Sequence, residues 1–295
     1  MTEQVSDPTA LDAIADPAEQ SASAPNKPNF TPRGVPQIVG INRVGLLALY
    51  MKEVRRFLKV QTQTIWAPAV TTLLFLVIFT VALGRGGREV LGVPFASFVA
   101  PGLIVMGMMQ NAFANSSFSL LSGKIQGTII DLLMPPLSPG ELMGGIIAAA
   151  VTRALAVGCT VGLAMALWPG VTLPVSHLWA IVWFGLMGSV MLALLGLATS
   201  IWAEKFDHLA AISQFVVLPL TFLSGTFYRI EALSEPFETL THGNPMFYLI
   251  DGFRYGFIGV ADSNITIGIF VTGFFAFACC AGVWTMFRTG YKLKA

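Results

Sequence analysis

Six long apolar stretches set the strongest limit on what this chain can fold into. They cover roughly 65–84, 97–121, 143–168, 178–202, 209–228 and 264–287. An α-helix needs about 20 mostly apolar residues to cross the hydrocarbon core of a membrane. Each stretch meets that length, so the sequence predicts an all-α membrane protein with six transmembrane helices.

The composition excludes a soluble domain. Hydrophobic residues make up 55% of the 295 residues, charged residues make up 11%, and the mean hydropathy is +0.71. A soluble domain carries about 25% charged residues. The three cysteines and three histidines lack the spacing of a disulfide framework or a metal site, so we expect neither.

Residues 1–36 differ from the rest of the chain. They hold six of the 17 prolines and many alanine and serine residues. Such a composition cannot bury enough apolar surface to offset the entropy of ordering. We therefore predict a disordered cytoplasmic tail over 1–36 and a six-span transmembrane domain over 37–295.

The positions of lysine and arginine predict the orientation of the spans. With the N-terminus in the cytoplasm, twelve of the 17 basic residues fall on the cytoplasmic side and four fall outside. The remaining one, Arg153, lies within the third stretch. Because basic residues concentrate in cytoplasmic loops, both termini are predicted to be cytoplasmic.

An amphipathic helix is predicted over 43–60, ahead of the first span. Apolar residues share one face of this helix, and the opposite face carries Lys52, Arg55, Arg56 and Lys59. A helix of this kind binds in the membrane interface against anionic headgroups. A simple topogenic anchor is the alternative interpretation.

The loop between the second and third stretches has the sequence GTIIDLLMPPLSPGEL, residues 127–142. Ser138 and Glu141 have the spacing of a capping box, with Pro139 at the first helical position. The third helix is therefore predicted to begin inside this loop. The preceding segment around Asp131 predicts a short helix, which is marginal in isolation, so we expect a membrane or a partner to hold it.

Residues 225–262 are too apolar for a free loop. Asn244 and Pro245 predict the start of one short helix, and Pro236 predicts the start of another. Two short helices that re-enter the outer leaflet, a re-entrant hairpin between spans five and six, fit this segment. Asp251 and Arg254 are three residues apart, a spacing that allows them to pair.

Polar residues form a stripe in the second stretch, where Asn111, Asn115 and Ser119 recur every four residues. In lipid such groups must face protein or water. Two interpretations stay open: hydrogen bonds to neighbouring helices, or a pathway at a dimer interface. Arg153 is expected to extend toward cytoplasmic headgroups, with contact to an anionic headgroup of a substrate as the alternative.

Two of these segments resemble those of type-2 ATP-binding-cassette (ABC) export permeases. The 127–142 loop is similar to the first cytoplasmic loop of that family, and residues 223–257 are similar to its segment between spans five and six. Together with the amphipathic helix and six spans, the resemblance covers about residues 40–290.

The resemblance implies an assembly of two permease copies with two copies of a cytoplasmic ABC ATPase in a bacterial inner membrane. The residues it assigns to ATPase docking are Arg56, Asp131, Glu141, Glu204 and Asp207. The residues it assigns to an outer gate are Asn244, Pro245, Tyr248, Asp251 and Arg254. It also implies export of a drug, a lipid or a lipid-linked glycan, and it leaves these three open.

The chain lacks a phosphate-binding loop of the form G-x-x-x-x-G-K-[ST]. We therefore expect no cofactor and no catalysis in this chain, with ATP bound by the partner. The expected partners are the ATPase, a second copy of the chain and membrane lipids, and no nucleic acid. Two rival classes are a gradient-driven secondary transporter and a membrane-embedded enzyme, although no catalytic cluster supports the latter.

Overall fold

The computed structural model describes residues 40–83, 89–230 and 234–293. A two-stranded antiparallel hairpin pairs β1, Glu89–Val90, with β2, Val93–Pro94. The α-helices are α1 Arg43–Lys59, α2 Ala67–Leu83, α3 Phe95–Ile125, α4 Ile129–Leu133, α5 Pro139–Ala166, α6 Leu178–Trp202, α7 Phe206–Ile212, α8 Leu218–Leu223, α9 Glu235–His242, α10 Pro245–Ile258 and α11 Ile265–Thr289. The predicted tail, 1–36, lies outside the described residues, so the predicted domain boundary stays a prediction.

Among the residues that the structure describes, six helices are long and apolar enough to cross a membrane, which agrees with the predicted number of spans. Five of them correspond to α2, α3, α5, α6 and α11, and the fifth in chain order, Phe206–Leu223, joins α7 and α8. We call the end of the bundle with α4 and the start of α5 the inner end. The end with the β-hairpin and the α5–α6 connection is the outer end.

A π-helical turn interrupts the first and the fifth span, and each turn comes shortly before a proline. The turns cover Thr62–Trp66 and Ser213–Val217, with Pro68 and Pro219 two residues beyond them. Proline lacks an N–H group, and its ring clashes with the carbonyl four residues earlier. A π turn shifts the hydrogen bonds by one residue, so each helix continues past its proline.

The second span, α3, is the centre of the bundle. In its most apolar stretch 94% of the residues are buried, against 17% in α11. Glycines bring its neighbours close: a Cβ on Gly196 of α6 would lie 2.5 Å from the carbonyl oxygen of Phe113. A Cβ on Gly158 of α5 would lie 2.6 Å from the sulfur of Met108. The bundle therefore places whatever polar groups α3 carries inside the protein.

The helix predicted over 43–60 is present as α1, and it packs along the first half of α5. Leu49 contacts α5 at Gly145, and the Tyr50 hydroxyl lies 3.0 Å from Thr152 Oγ1. Asn42 caps α1 by accepting a hydrogen bond from Gly45 N at 2.9 Å. The position of α1 at a membrane surface stays a prediction.

The short helix predicted in the 127–142 loop is α4, and the predicted capping box starts α5. Ser138 Oγ accepts from Glu141 N, and Glu141 Oε2 accepts from Ser138 N at 2.6 Å. The expectation that a membrane or a partner must hold α4 is wrong. Ile129 and Leu132 are buried in an apolar cluster with the ends of α6 and α11, so the chain itself holds the helix.

The segment between spans five and six folds into the two predicted short helices, α9 and α10. Asn244 caps α10 and accepts from Met246 N at 3.0 Å. Residues of α9 share a cavity with Met191 and Phe275, which lie midway along α6 and α11. This depth is compatible with a hairpin that re-enters the membrane, and the re-entry itself stays a prediction.

Candidate transport site and docking surface

Arg254 of α10 is buried near the outer end and is held from several sides. Its Nη2 donates to the carbonyl oxygens of Gly225 at 2.6 Å and Thr226 at 3.4 Å. Its guanidinium lies 4.0 Å from the ring centroid of Phe98 on α3. The side chain thus joins α10 to α3 and to the segment that follows α8.

Asp251 binds the segment that precedes α11 and makes no ion pair with Arg254. Its carboxylate accepts from the backbone nitrogens of Asp262 at 2.9 Å and Ser263 at 2.8 Å, and from Ser263 Oγ at 2.7 Å. Arg254 Nη1 lies 3.9 Å from Asp262 Oδ2 instead. The predicted direct pairing of Asp251 with Arg254 is therefore wrong, because both side chains instead contact the segment at Asp262.

The remaining predicted gate residues lie at the turn between α9 and α10. Asn244 Nδ2 donates to Leu220 O and to Ser224 Oγ, both at 2.9 Å. Tyr248 donates from its hydroxyl to His242 O at 3.2 Å. Pro245 is the first residue of α10. The structure thus brings the five predicted gate residues onto one helical segment, and gating by them stays a prediction.

The polar stripe of α3 faces two arginines inside the protein. Arg153 Nη2 of α5 donates to Asn111 Oδ1 at 2.8 Å. Arg56 Nη2 of α1 donates to Asn115 O at 2.9 Å and to Asn115 Oδ1 at 3.3 Å. Arg153 is thus held by Asn111 inside the protein, and its expected extension toward cytoplasmic headgroups stays a prediction. Ser119 is buried on the same face.

Three of the predicted docking residues are exposed near the inner end. Asp131 lies on α4, Glu204 lies in the α6–α7 connection, and Asp207 lies in the first turn of α7. Lys292 Nζ donates to Glu204 Oε1 at 2.8 Å. This contact lowers the pKa of Glu204 below its ordinary value and raises the pKa of Lys292. The three acids remain available to a partner.

The other two predicted docking residues make contacts within the chain. Glu141 accepts from the backbone nitrogens of Ser138 and Asn42, so it joins the start of α1 to the start of α5. Arg56 pairs with the buried Glu53 at 2.7 Å and also binds Asn115. Their role in docking stays a prediction, and each already has partners inside the protein.

Two segments of this fold have the positions that the resemblance implied: α4 between the second and third spans, and α9–α10 between the fifth and sixth. The sequence profile of the ABC-2 type transporter family matches residues 45–258, which includes both segments. The chain belongs to the ABC-2 type transporter family.

Curated relatives of this ABC-2 permease extend along most of the chain. It is 34% identical over 256 residues to the inner membrane transport permease YadH of Escherichia coli K12, covering 85% of this chain and 98% of that protein. It is 28% identical over 200 residues to nodulation protein J of Rhizobium leguminosarum bv. viciae, covering 65% and 76%. With nodulation protein J of Rhizobium meliloti it shares 23% over 249 residues, covering 84% and 92%.

Sequence reasoning missed three polar residues that hold this permease together. Glu53 is buried beside Arg56, and their spacing of three residues on one helix was the available signal. Asp262 and Ser263 bind Asp251 from eleven and twelve positions away, and Asp262 also lies near Arg254, eight positions away. No local pattern marks such contacts, because they depend on how α10 packs.

Proposed function

We propose that this chain is the membrane subunit of an ATP-driven exporter and that a separate cytoplasmic ABC ATPase supplies the energy. Two copies of the chain would assemble with two ATPase subunits in a bacterial inner membrane, with both termini in the cytoplasm. The family membership supports the ATPase partner in general terms. The alignment with a permease named for the inner membrane, over 98% of its length, supports the location.

The surface of α4 carries this proposal. One face of the helix, with Ile129 and Leu132, is buried against the chain. The other face exposes Ile130 and Met134 on either side of Asp131, and the exposed fraction of Met134 is 75%. Apolar side chains around one acid, on a helix fixed to the core, suit contact with another protein better than with water.

Anchoring of α4 supports its use as a lever. Lys124 at the end of α3 donates to Ile201 O and Ala203 O at the end of α6. The apolar cluster beneath α4 includes residues at the inner ends of α5, α6 and α11. A force applied to α4 would therefore reach four of the six spans through packed side chains.

An amphipathic substrate is the class that we propose for export, whether a drug, a lipid or a lipid-linked glycan. An apolar cavity of about 570 Å³ between α3, α5, α6 and α10 supports this class. Its wall includes Ile104, Leu155, Leu186 and Phe257. An apolar cavity of this size accommodates acyl or aromatic groups.

Affinity purification of the tagged chain from its native membrane, followed by an ATPase assay, tests the proposal. We expect a stoichiometric ATPase to co-purify and Asp131→Arg to reduce the bound ATPase by about tenfold or more, since a charge reversal at an interface costs several kcal/mol. Glu89→Arg, an exposed reversal on the β-hairpin at the outer end, is the matched control and should retain the ATPase.

Recovery of the chain alone, with no ATPase in detergent or nanodiscs, would contradict the proposal. The alternative is a gradient-driven secondary transporter. Transport in proteoliposomes that stops on collapse of the proton gradient, and proceeds without ATP, would support that alternative.

A further inference from the structure

A cavity of about 340 Å³ lies between α1, the start of the first span, α3 and α5. It is separate from the apolar cavity described above, and five of its nine wall residues carry polar side chains. These are Arg56, Gln63, Thr64, Asn115 and Arg153. An enclosure of this size accommodates a small polar group.

Positive charge at this cavity exceeds negative charge. Arg56 pairs with Glu53 at 2.7 Å. Within the described ranges, Arg153 has no carboxylate within 4.0 Å, and its side chain donates to the neutral Asn111. Two guanidinium groups thus face one carboxylate in a poorly solvated site, where an unpaired charge is costly.

Several hydrogen-bond donors at the cavity have no acceptor among the described residues. They are the Nε and Nη1 atoms of Arg56, Nε of Arg153 and Nδ2 of Asn115. A buried donor without an acceptor costs about 1–3 kcal/mol, and more when the group is charged. These four atoms have almost no accessible surface, so a ligand in the cavity would not contact them directly. A negatively charged ligand would instead offset the excess of positive charge from the two guanidinium groups.

The cavity lies at the depth of a lipid headgroup. Its wall includes Val60, Gln63 and Thr64, where the first span begins. Asn115 lies twenty residues after Phe95, the outer start of α3. At 1.5 Å per residue this is about 30 Å, the thickness of the hydrocarbon core. The polar wall therefore lies at the inner boundary of that core.

The mouth of the cavity opens on the side of the bundle. Ala114 and Phe118 form part of its wall and are exposed, with 45% of Phe118 accessible. Val60 and Trp66, close by on the first span, are exposed and apolar as well. A headgroup could enter through this mouth while its acyl chains stay against the apolar surface outside.

We infer that this cavity binds the phosphate group of an inner-leaflet lipid through Arg56, Arg153 and Asn115. Arginine is suited to this ligand because its fixed array of donors matches phosphate oxygens. The inference concerns binding alone, so it stands or falls independently of the ATPase partner. The same chemistry would recognise free phosphate, which the experiment separates from lipid.

Native mass spectrometry of the full chain in uncharged detergent tests the site with two probes, dioleoylphosphatidylglycerol and dioleoylglycerol. The two lipids have the same acyl chains and differ in the phosphate headgroup. We expect the wild type to bind the phospholipid about tenfold or more tightly than dioleoylglycerol, from one charge-assisted hydrogen bond or more. Arg56→Gln and Arg153→Gln should remove this preference, whereas Arg55→Gln, an exposed neighbour on α1, should retain it.

A second variant guards against misfolding of the arginine variants. Ala114→Phe fills the mouth, keeps both arginines and changes an exposed residue, so it should fold and lose the phospholipid preference. Displacement of bound phospholipid by inorganic phosphate would support the site and assign its binding energy to the oxyanion. Equal phospholipid binding by the wild type, both arginine variants and Ala114→Phe would overturn the inference, as would equal binding of the two lipids by the wild type.

Discussion

Arg254 near the outer end and Arg153 toward the inner end are both held inside the bundle, yet their surroundings differ. Arg254 has two carbonyl acceptors, an aromatic ring and the nearby Asp262 carboxylate. Arg153 has one amide acceptor, Asn111, and lies beside a cavity. Each arginine has an Nε without an acceptor among the described residues. Arg254 nevertheless has more contacts within its own chain than Arg153 has.

This difference separates two uses of a charge in a membrane. A buried charge that several groups of the fold contact fixes loops and helices relative to one another, as Arg254 does for α10. A charge with incomplete partners beside a cavity is free to bind a ligand at little structural cost. The comparison therefore predicts that substitution of the fully buried Arg254 lowers stability more than substitution of the half-buried Arg153.

The largest loss of stability is expected for Arg254→Met. Methionine fills similar space but leaves two carbonyls and part of the Asp262 charge without a partner, so we expect a loss of about 3 kcal/mol or more. The measurement is the Tm of the purified chain in lipid-free detergent, followed by size-exclusion chromatography. Arg55→Gln, on the exposed face of α1, serves as the control. An unchanged Tm for Arg254→Met would contradict the structural role assigned to Arg254.

A smaller loss of stability is expected for Gly196→Ala, which tests the packing of α3 against α6. The new methyl group would meet Ser116 Oγ and, at 2.5 Å, Phe113 O, so α3 and α6 must move apart. Overpacking of this kind costs about 1–3 kcal/mol. Gly144→Ala on α5 is the matched control, because a Cβ there has no neighbour within 4 Å. If both variants unfold at the same temperature, close packing of α3 and α6 is not limiting.

Arg153→Gln should change stability by only about 1 kcal/mol in lipid-free detergent, the value of a single hydrogen bond. The substitution removes the contact to Asn111 but also relieves repulsion from Arg56. The same Tm measurement provides the value. A loss as large as that of Arg254→Met would show that the inner arginine is structural as well, and the contrast between the two ends would disappear.

The smallest effect is expected for the exposed pair of Glu204 and Lys292. The lowered pKa of Glu204 means that its contribution is present above its unfolded pKa, about 4.3, and is lost as the pH falls through the folded value. The raised pKa of Lys292 means that its contribution is lost as the pH rises through its folded value. Because both side chains are exposed, the contribution is small even where it is fully present, so Lys292→Gln should leave the Tm between about pH 5 and 9 within experimental error. A clear drop would mean that this connection is more than a solvated contact.

Features that depend on neighbouring residues could be predicted from the sequence. The six spans follow from apolar length, the start of α5 follows from Ser138, Pro139 and Glu141, and the start of α10 follows from Asn244 and Pro245. Each is a local signal, with cause and effect a few residues apart. Their positions in the structure agree with the sequence for that reason.

Contacts between distant residues could not be predicted. Asn111 and Arg153 are 42 positions apart, and Tyr50 and Thr152 are 102 apart. Periodicity shows that Asn111 lies on a polar face of its helix but does not show which helix that face meets. For the same reason Glu141 was assigned to a partner protein, although its nearest donors include the backbone nitrogen of Asn42.

The π-helical turn in the first span changes which face of the following helix points into the bundle. Buried positions after it, Ala69, Thr72 and Leu76, follow one another at intervals of three and four, whereas Thr64 precedes Ala69 by five. One extra residue in a helix rotates everything beyond it by about 100°. A deletion of one residue within Thr62–Trp66 would turn that stripe away from the bundle while leaving every side chain in it unchanged. The face of this span that points into the bundle thus depends on the number of residues in the π-helical turn as much as on the side chains that follow it.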